Sequence, residues 1–382
     1  MPTPPLNIAL FGSKFMGKAH SNAWLQAGHF FDLPRRPALH TIAARDADYL
    51  ERFAKQWGWA GWTTDWRTAI SDPVVDLVDI GTPNHLHREQ ALAALEAGLA
   101  VACEKPLAGT IDDAREMRDA ARRTGVPTFV WFNYRRAPAL ALAHQLVAEG
   151  RLGRIYHVRA AYLQGWGGPD TPLGWRFQKS RAGSGALGDL MAHTIDLARF
   201  VTGDEIAEVT GAIEERFIKQ RTRPDDPTKK GRSSVDDAVL FLARFRGGAV
   251  GSFESTRLAT GIKNSNRIEI HGEQGAVRFN FERMNELEFF DGNEPPRTQG
   301  WRTIQAMHEA HPYAANWWPD GHWLGYEHTF ANQAADIVVA LSGADPIVPI
   351  PDFEDAFTTQ RVMEAAVQSA RHRTSVKLSE VT

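Results

Sequence analysis

Residues 6–17 read LNIALFGSKFMG, and this stretch decides the fold class. An apolar run at 6–11 ends at Gly12, and a helical pattern begins near Met16. A glycine turn between a strand and a helix lets the backbone approach a pyrophosphate at the helix N-terminus. Lys14 stands where the dinucleotide fingerprint has its middle glycine. The turn alone therefore indicates a strand followed by a helix, although the lysine could add a cation near the phosphates.

Short apolar strands and helices alternate from this turn to about residue 132. This alternation predicts a doubly wound parallel sheet of the Rossmann type. The further strands are predicted at 39–43, 74–80, 100–103 and 127–132, with helices at 16–27, 47–57, 87–97 and 111–123.

Beyond residue 132 the chain has long runs of alternating apolar and polar residues, which are typical of an open, mainly antiparallel sheet. Helices are predicted at 137–149, 185–200 and 353–371. The charged, proline-rich segment 219–232 is predicted to be an exposed loop.

The whole pattern predicts an α/β protein of two domains. Residues 1–131 would form a Rossmann dinucleotide-binding domain. Residues 132–382 would form an α+β domain for substrate binding and oligomerisation, whose last helix can pack back on the first domain.

Composition excludes several classes of protein. Of 382 residues, 43% are hydrophobic and 23% charged, which is typical of soluble globular chains and not of disordered or fibrous ones. A net charge of −3 gives no basic excess for nucleic acid or an anionic membrane, so neither is expected as a partner. A single cysteine, Cys103, excludes an intramolecular disulfide. With no apolar run of about 20 residues and no secretory pattern, a cytoplasmic protein is expected.

Two further turns follow predicted strands, at the edge where open α/β sheets bind ligands. GTPNHLH at 81–87 follows one strand, and Glu104-Lys105-Pro106 follows the next. A lysine placed there can hydrogen-bond a substrate hydroxyl as a cation. The alternative for an isolated Lys-Pro pair is a surface lysine before a loop proline.

The second strand of the fingerprint is followed by Ala44, Arg45 and Asp46. An acid at the end of this strand binds the ribose 2′-hydroxyl of NAD. If Ala44 is the diagnostic position, the acid is missing and Arg45 could bind the 2′-phosphate of NADP. If the register is two residues later, Asp46 supplies the acid. The sequence leaves both alternatives open.

A glycine-rich segment at 183–188 leads into Asp189 and His193, which share one face of a predicted helix. A carboxylate beside an imidazole is suited to taking a proton from an alcohol near neutral pH. The alternative is an acid that stabilises the helix dipole and a histidine buried in the core. No other ligand stands at a familiar metal-binding spacing, so no metal is expected.

Together these segments resemble the glucose–fructose oxidoreductase and inositol dehydrogenase family (Gfo/Idh/MocA) over essentially the whole chain. Within the family the resemblance is greatest to the levoglucosan dehydrogenase branch, which oxidises the C3 hydroxyl of an anhydrosugar with a nicotinamide cofactor. The matching segments are FGSKFMGKAH (11–20), GTPNHLH (81–87), CEKPLA (103–108), FNYRR (132–136), GRIYHVRAAYLQGW (153–166), WRFQKSRAGSGALGDLMAHTIDLARF (175–200), HGEQGAVRFNFER (271–283) and AHPY (310–313).

The resemblance implies roles for the matched residues. Lys105 would bind and polarise the reacting hydroxyl, with a cis bond to Pro106, while His193 would accept the hydroxyl proton and Asp189 would hold the substrate. The implied substrate-binding residues are Tyr134, Arg135, Gln164, Trp166, Trp175, Arg176, Asp189, His193 and His311. The implied cofactor-binding residues are Gly12, Lys14, Phe15, Met16, Gly17, Ala44, Arg45, Thr82, Pro83, Asn84, His87, Glu104 and Lys105.

The resemblance therefore implies an NAD(P)-dependent dehydrogenase of a ring hydroxyl in a sugar, an anhydrosugar such as levoglucosan, a glycoside or inositol. The levoglucosan branch favours NAD, and NADP is the alternative. Two other functions share the fold: a glycosidase that keeps NAD bound and oxidises C3 transiently, and a non-catalytic sugar or nucleotide sensor. An open sheet face is costly to leave bare, so a homodimer or homotetramer is expected.

Overall fold

The computed structural model describes residues 3–381, and the chain divides into two compact units. The first unit holds the residues up to Arg136 together with Leu324–Phe357, and the second holds Ala137–Trp323 and the residues from Thr358 onward. The sequence predicts residues 324–357 in the second domain, but in the structure they belong to the first unit. These residues pack with the first unit because apolar side chains such as Phe330 and Ile337 complete its core.

Strands and helices alternate through the first 130 residues, as predicted from the apolar runs. The elements are β1 (Leu6–Phe11), α1 (Phe15–Phe30), β2 (Pro37–Ala43), α2 (Ala47–Trp57), β3 (Gly61–Thr63), α3 (Trp66–Ile70), β4 (Leu77–Ile80), α4 (His87–Glu96), β5 (Ala100–Cys103), α5 (Ile111–Thr124) and β6 (Thr128–Val130).

The strands of the first unit form one parallel sheet. Among the described residues its order is β3-β2-β1-β4-β5-β6, and every neighbouring pair is parallel. This is the strand order of a doubly wound dinucleotide-binding fold. The order reverses between β1 and β4, so the loops after these two strands flank the point where such folds bind their ligand.

The elements of the second unit begin at Pro138. They are α6 (Pro138–Ala148), β7 (Ile155–Leu163), α7 (Lys179–Ala182), α8 (Ala192–Thr202), β8 (Ile206–Glu215), β9 (Gln220–Thr222), β10 (Lys230–Arg232), β11 (Ala238–Phe245), β12 (Val250–Thr256), β13 (Ser265–Gly272), β14 (Gly275–Asn280), β15 (Glu286–Asp291) and β16 (Trp301–Gln305). The chain then continues with α9 (Tyr326–Leu341), α10 (Phe353–His372) and β17 (Val376–Lys377).

A mixed sheet forms the second unit, with the order β16-β15-β14-β13-β7-β12-β11-β8-β17 in the described part of the chain. The β7–β12 pair is parallel and the other pairs are antiparallel, so the predicted fold class is confirmed. Helices α6 and α8 pack on one face. Strand β11 alternates between this buried face, with Phe241, and an exposed face, with Leu240 and Leu242.

The prediction of a loop at 219–232 is wrong, because this segment contains the β9–β10 hairpin, whereas the predicted exposure is confirmed for most of the segment. Arg221 in β9 is fully buried, and its guanidinium donates to the carbonyl oxygens of Gly167 and Gly168, both at 2.7 Å. The guanidinium also lies 3.7 Å from the ring centroid of Phe177. Backbone acceptors, an aromatic face and the Asp237 carboxylate, 3.4 Å away, replace water around the charge, so charged composition alone does not make this arginine exposed.

Within residues 3–381, each helix falls short of the length and apolar character that crossing a bilayer requires.

Candidate functional site

The turn after β1 lies against the loop after β4. Gly12 has a φ of +110°, and a Cβ atom there would come within 2.7 Å of the carbonyl oxygen of Gly81. A Cβ atom on Gly17 would come within 2.4 Å of the carbonyl oxygen of Gly12. Both positions therefore require glycine, and the backbone of this turn stays open to a ligand.

Helix α1 begins directly after this turn. Lys14 occupies its N-cap position without making a side-chain cap, and the first helical turn carries no acidic residue among those described. The first backbone N–H groups of α1 are thus suited to an anion such as a pyrophosphate. The Lys14 ammonium lies 3.8 Å from the ring centroid of Tyr49. Phe15 is exposed and stacks on Tyr326 at a centroid distance of 6.2 Å.

The loop after β2 carries the two alternatives for the ribose contact. Ala44 follows the strand directly, and Arg45 is exposed. The Asp46 carboxylate accepts the backbone N–H of Tyr49 at 3.1 Å and caps α2. Asp46 therefore has a structural role of its own at the start of the helix.

His87 joins the loops that follow β4 and β5. Its side chain is fully buried, with Nε2 2.9 Å from the carbonyl oxygen of Thr82 and Nδ1 3.2 Å from that of Pro106. Burial lowers the pKa of His87, against the carbonyl contacts that raise it. Pro83 and Asn84 lie in the same loop, and the Lys105–Pro106 peptide bond is cis, as expected.

A chain of buried ionisable groups lies behind Lys105. Glu104 accepts the backbone N–H of Lys105 through Oε2 at 3.1 Å, and its Oε1 lies 3.1 Å from Nε2 of His20. Nδ1 of His20 lies 2.9 Å from both carboxylate oxygens of Asp79. His20 and Asp79 were not among the predicted site residues. Their signal in the sequence is the second aspartate of the run VVDLVDI, which stands between two apolar residues, and the histidine of FGSKFMGKAH.

This chain of groups is held by two indoles. Trp24 and Trp131 donate their ring N–H groups to Asp79 at 2.7 and 2.9 Å. Burial by itself lowers the pKa of His20, but the charges and hydrogen bonds of Asp79 and Glu104 outweigh it and raise that pKa to about 9. The imidazole is therefore an imidazolium near neutral pH.

Asp189 and His193 lie in the second unit, on a helix that starts irregularly. Leu187–Met191 is a turn of π-helix that continues into α8. The carboxyl group of Asp236 accepts the backbone N–H groups of Gly185 at 2.6 Å and Leu187 at 2.8 Å, and so fixes the start of this turn. Such π-turns within helices occur often at functional sites.

Asp189 has a buried cationic partner that the sequence did not reveal. The Arg257 side chain is 1% exposed, and its Nη2 lies 2.8 Å from Oδ2 of Asp189, which is 25% exposed. Arg257 also donates to the carbonyl oxygen of Arg176 at 3.2 Å, and its guanidinium lies 5.3 Å from the ring centroid of Trp166. The partly exposed carboxylate is thereby held in one orientation. Arg257 directly follows β12, and nothing in its local sequence marks it.

A row of polar groups runs beside His193. The imidazole is 5% exposed and meets the ring of Tyr162 edge-on at 5.8 Å. Tyr162 donates its hydroxyl to Asn264 at 2.7 Å, and Gln164 donates its amide to the same oxygen at 2.6 Å. The indole N–H of Trp166 donates to Gln164 at 2.5 Å, and 40% of Trp166 is exposed.

The remaining predicted substrate-binding residues are distributed over both units. Trp175 and Arg176 share a 3₁₀ turn, with the guanidinium 4.6 Å from the indole centroid. His311 accepts the backbone N–H of His308 at 3.1 Å, and burial followed by the His308 charge lowers its pKa.

Two of these residues belong to the first unit. Tyr134 meets Tyr326 edge-on at 6.3 Å, and Arg135 forms a 2.6 Å ion pair with Asp355. Both side chains are buried. Among residues 3–381, no group of three or more His, Cys, Asp or Glu side chains is arranged to hold a metal ion.

Each unit thus offers a distinct chemistry. The first presents an uncapped helix N-terminus beside a glycine turn and a lysine that follows a parallel strand, and these residues fit a bound dinucleotide. The second presents a carboxylate and an imidazole beside amide, hydroxyl and indole groups, which suits a polar ring compound.

Two family models match the chain. One is described as "Oxidoreductase family, NAD-binding Rossmann fold" and matches residues 6–132, and the other, "GFO/IDH/MocA C-terminal domain", matches residues 140–278. The chain belongs to this family. The resemblance to Gfo/Idh/MocA is confirmed, and the protein is an oxidoreductase with an NAD-binding Rossmann domain.

Several members of the family are similar to this chain along much of their length. Levoglucosan dehydrogenase from Pseudarthrobacter phenanthrenivorans is 40% identical, with 99% of each chain covered. A solved structure of levoglucosan dehydrogenase in complex with NADH and levoglucosan is 40% identical and has a TM-score of 0.93, covering 99% of this chain and 100% of that one. D-glucoside 3-dehydrogenase from Escherichia coli is 32% identical over 71% of this chain and 75% of its own.

Proposed function

We propose that this oxidoreductase oxidises the C3 hydroxyl of levoglucosan, or of a closely related anhydrosugar, with NAD. The observation that carries the proposal is the row of groups in the second unit: Asp189 ion-paired to Arg257, and His193 beside the polar chain that ends at Trp166. Similarity to levoglucosan dehydrogenase over 99% of both chains supports the choice of substrate. Similarity to D-glucoside 3-dehydrogenase supports the choice of C3.

Three residues would perform the chemistry. Lys105 would donate a hydrogen bond to the reacting hydroxyl and stabilise negative charge on its oxygen as the proton leaves. His193 would accept that proton, which an imidazole can do near neutral pH. Asp189, oriented by Arg257, would accept a hydrogen bond from a sugar hydroxyl and keep the ring in place.

The cofactor-binding residues would hold NAD in the first unit. Gly12 and Gly17 leave room for the pyrophosphate at the start of α1, and the loops of Thr82–Asn84 and Glu104–Lys105 lie at the ends of neighbouring strands. When bound, NAD supplies the hydride acceptor for the substrate C–H bond. Trp166, whose indole is partly exposed, would cover the apolar face of the sugar ring.

The test is an assay of purified protein with a panel of substrates, following NADH at 340 nm. The panel contains levoglucosan, glucose, a methyl glucoside and myo-inositol, each with NAD and with NADP. We expect levoglucosan with NAD to give the highest kcat/KM. A glycosidase with transient C3 oxidation would cleave the glycoside without net NADH, and a sensor would turn over none of the substrates. Either result contradicts the proposal.

We propose NAD rather than NADP as the working cofactor. Arg45 is exposed after β2 and is the feature that could accept a 2′-phosphate. A tenfold higher kcat/KM with NADP, which corresponds to about 1.4 kcal/mol, would overturn this choice. Replacing Arg45 by alanine should then lower NADP turnover and leave NAD turnover nearly unchanged.

We also propose that the protein acts in the cytoplasm as a homodimer or homotetramer. The open face of the second unit's sheet exposes apolar side chains, including Ile213, Leu240, Leu242 and Val250. A second copy of the same face would remove them from water and form a symmetric interface. Light scattering coupled to gel filtration measures the mass, and Leu242→Glu should shift it toward the monomer. A monomeric wild-type protein would contradict the proposal.

A further inference from the structure

Glu104, the residue before Lys105, is held by the buried chain of ionisable groups, and it contacts the peptide of Lys105 directly. We propose that Asp79, His20 and Glu104 act as a positioning relay that fixes Lys105 for the reaction. This inference rests on the catalytic role proposed for Lys105 and assigns the relay residues no contact with the substrate.

The geometry shows that the relay connects three separate elements. His20 comes from α1, Asp79 from β4 and Glu104 from the residue after β5. The side chains of His20 and Asp79 are fully buried, and that of Glu104 is 7% exposed. The relay therefore ties the carboxyl ends of two neighbouring strands to the helix that follows the glycine turn.

The two oxygens of Glu104 have different partners. Oε1 faces His20, and Oε2 accepts the backbone N–H of Lys105. The buried pair of Arg136 and Asp336 also contacts backbone groups, those of Pro349 and Ile347, but neither of these belongs to a predicted site residue. Glu104 instead accepts the backbone N–H of Lys105, so the fixed orientation of its carboxylate also fixes the backbone of Lys105.

The relay depends on the charge of His20, which lies between two carboxylates. Two carboxylates flank one imidazolium, and each ring nitrogen of His20 lies against one of them. The raised pKa of His20 supports this protonation state. Removing the imidazolium leaves two buried carboxylates without a counter-charge, and Glu104 loses the partner that sets its rotamer.

The functional consequence follows from distance. Lys105 must place its ammonium within hydrogen-bond reach of a hydroxyl, and a displacement of about 1 Å can lower the rate on the order of a hundredfold. A change at His20 is therefore expected to lower kcat while it leaves the glycine turn and dinucleotide binding intact.

The experiment is a double-mutant cycle on kcat with His20→Leu and Glu104→Ala, measured on the full chain with levoglucosan and NAD. We expect each single variant to lower kcat about ten- to a hundredfold, and His20→Leu to keep the KM for NAD within about twofold of wild type. Because His20 acts through Glu104, the double variant should be no slower than Glu104→Ala alone. If His20→Leu does not fold, His20→Gln, which keeps one donor, takes its place in the cycle.

The matched control is Asp336→Asn, which breaks a buried ion pair in the same unit. It should lower the melting temperature by a comparable amount and leave kcat unchanged, since it breaks the Arg136–Asp336 pair, which contains none of the three relay residues. Wild-type kcat in both single variants, or losses that multiply in the double variant, would overturn the relay. Wild-type kcat in Lys105→Met would instead overturn the role proposed for Lys105.

Discussion

Gly185 is the position where a single added methyl group should do most damage. An ideal Cβ atom there would lie 1.8 Å from the backbone oxygen of Asp236 and 2.9 Å from its carbonyl carbon. Because real Cβ contacts stay above 3.0 Å, the two backbone segments would have to separate by more than about 1 Å. That movement would break the hydrogen bonds of Gly185 and Leu187 to the Asp236 carboxyl group.

The magnitude follows from these contacts. Overpacking in a tight site costs about 1–3 kcal/mol, and each lost hydrogen bond about 1 kcal/mol. Gly185→Ala should therefore lower the free energy of unfolding by about 3–5 kcal/mol. Since the same turn carries Asp189, kcat of the remaining folded protein should fall as well.

Gly174→Ala is the matched control in the same unit. A Cβ atom there would meet nothing within 4 Å, and the backbone, at φ −75° and ψ 176°, suits alanine. Its stability should stay unchanged or rise by up to about 1 kcal/mol, because alanine restricts the unfolded chain. Urea unfolding followed by circular dichroism compares the two variants. A Gly185→Ala protein within about 1 kcal/mol of Gly174→Ala would refute the reasoning.

Three further outcomes test the site. His193→Ala should lower kcat about a hundred- to ten-thousandfold while fluorescence titration shows unchanged NADH binding, and wild-type kcat in the folded variant would contradict its role as base. Arg257→Met should lower kcat and destabilise the protein by about 3 kcal/mol, and adding Asp189→Asn should restore part of the stability but not kcat. The folded pKa of His20, about 9, lies above its ordinary 6.5, so its stabilisation is full below pH 6.5 and is lost as the pH rises through 9. At about 1.4 kcal/mol per pH unit, the free energy of unfolding measured with urea should fall by about 3 kcal/mol over this range. The His20→Gln variant should lack this loss. If the free energy of unfolding changes equally with pH in both proteins, a charged His20 is contradicted.

The parallel sheet could be predicted because its strands are continuous apolar runs, buried on both faces, between clear turn signals. Helix α9 was missed because buried polar residues interrupt its pattern. Asn332, Gln333 and Asp336 are all buried, and their partners are backbone groups and an arginine distant in sequence. Strand β16 was missed because Trp301–Gln305 is mostly exposed and is defined by pairing with β15 alone.

The candidate site likewise has residues that could be predicted from the sequence and residues that could not. Lys105, Asp189 and His193 stand in short motifs whose spacing is visible in the sequence. Arg257 could not be found, because its contact with Asp189 spans 68 residues and depends on where β12 ends in the sheet. Asp79, the partner of His20, lies 59 residues away in β4. The two meet because β1, which leads into α1, pairs in parallel with β4.

The core of the first unit includes Phe330, Ala334, Ile337 and Val338, all from α9. During translation β6 is finished at Val130, whereas α9 begins at Tyr326. At about 5–20 residues per second, the ribosome needs roughly 10–40 s to make the chain between them. The nucleotide-binding sheet therefore leaves the ribosome with part of its apolar surface uncovered, and it completes its fold only after the chain of the second unit has been made. A fragment ending near residue 136 should consequently aggregate or bind chaperones. The first unit is therefore the first to be synthesised, but it completes its folding late.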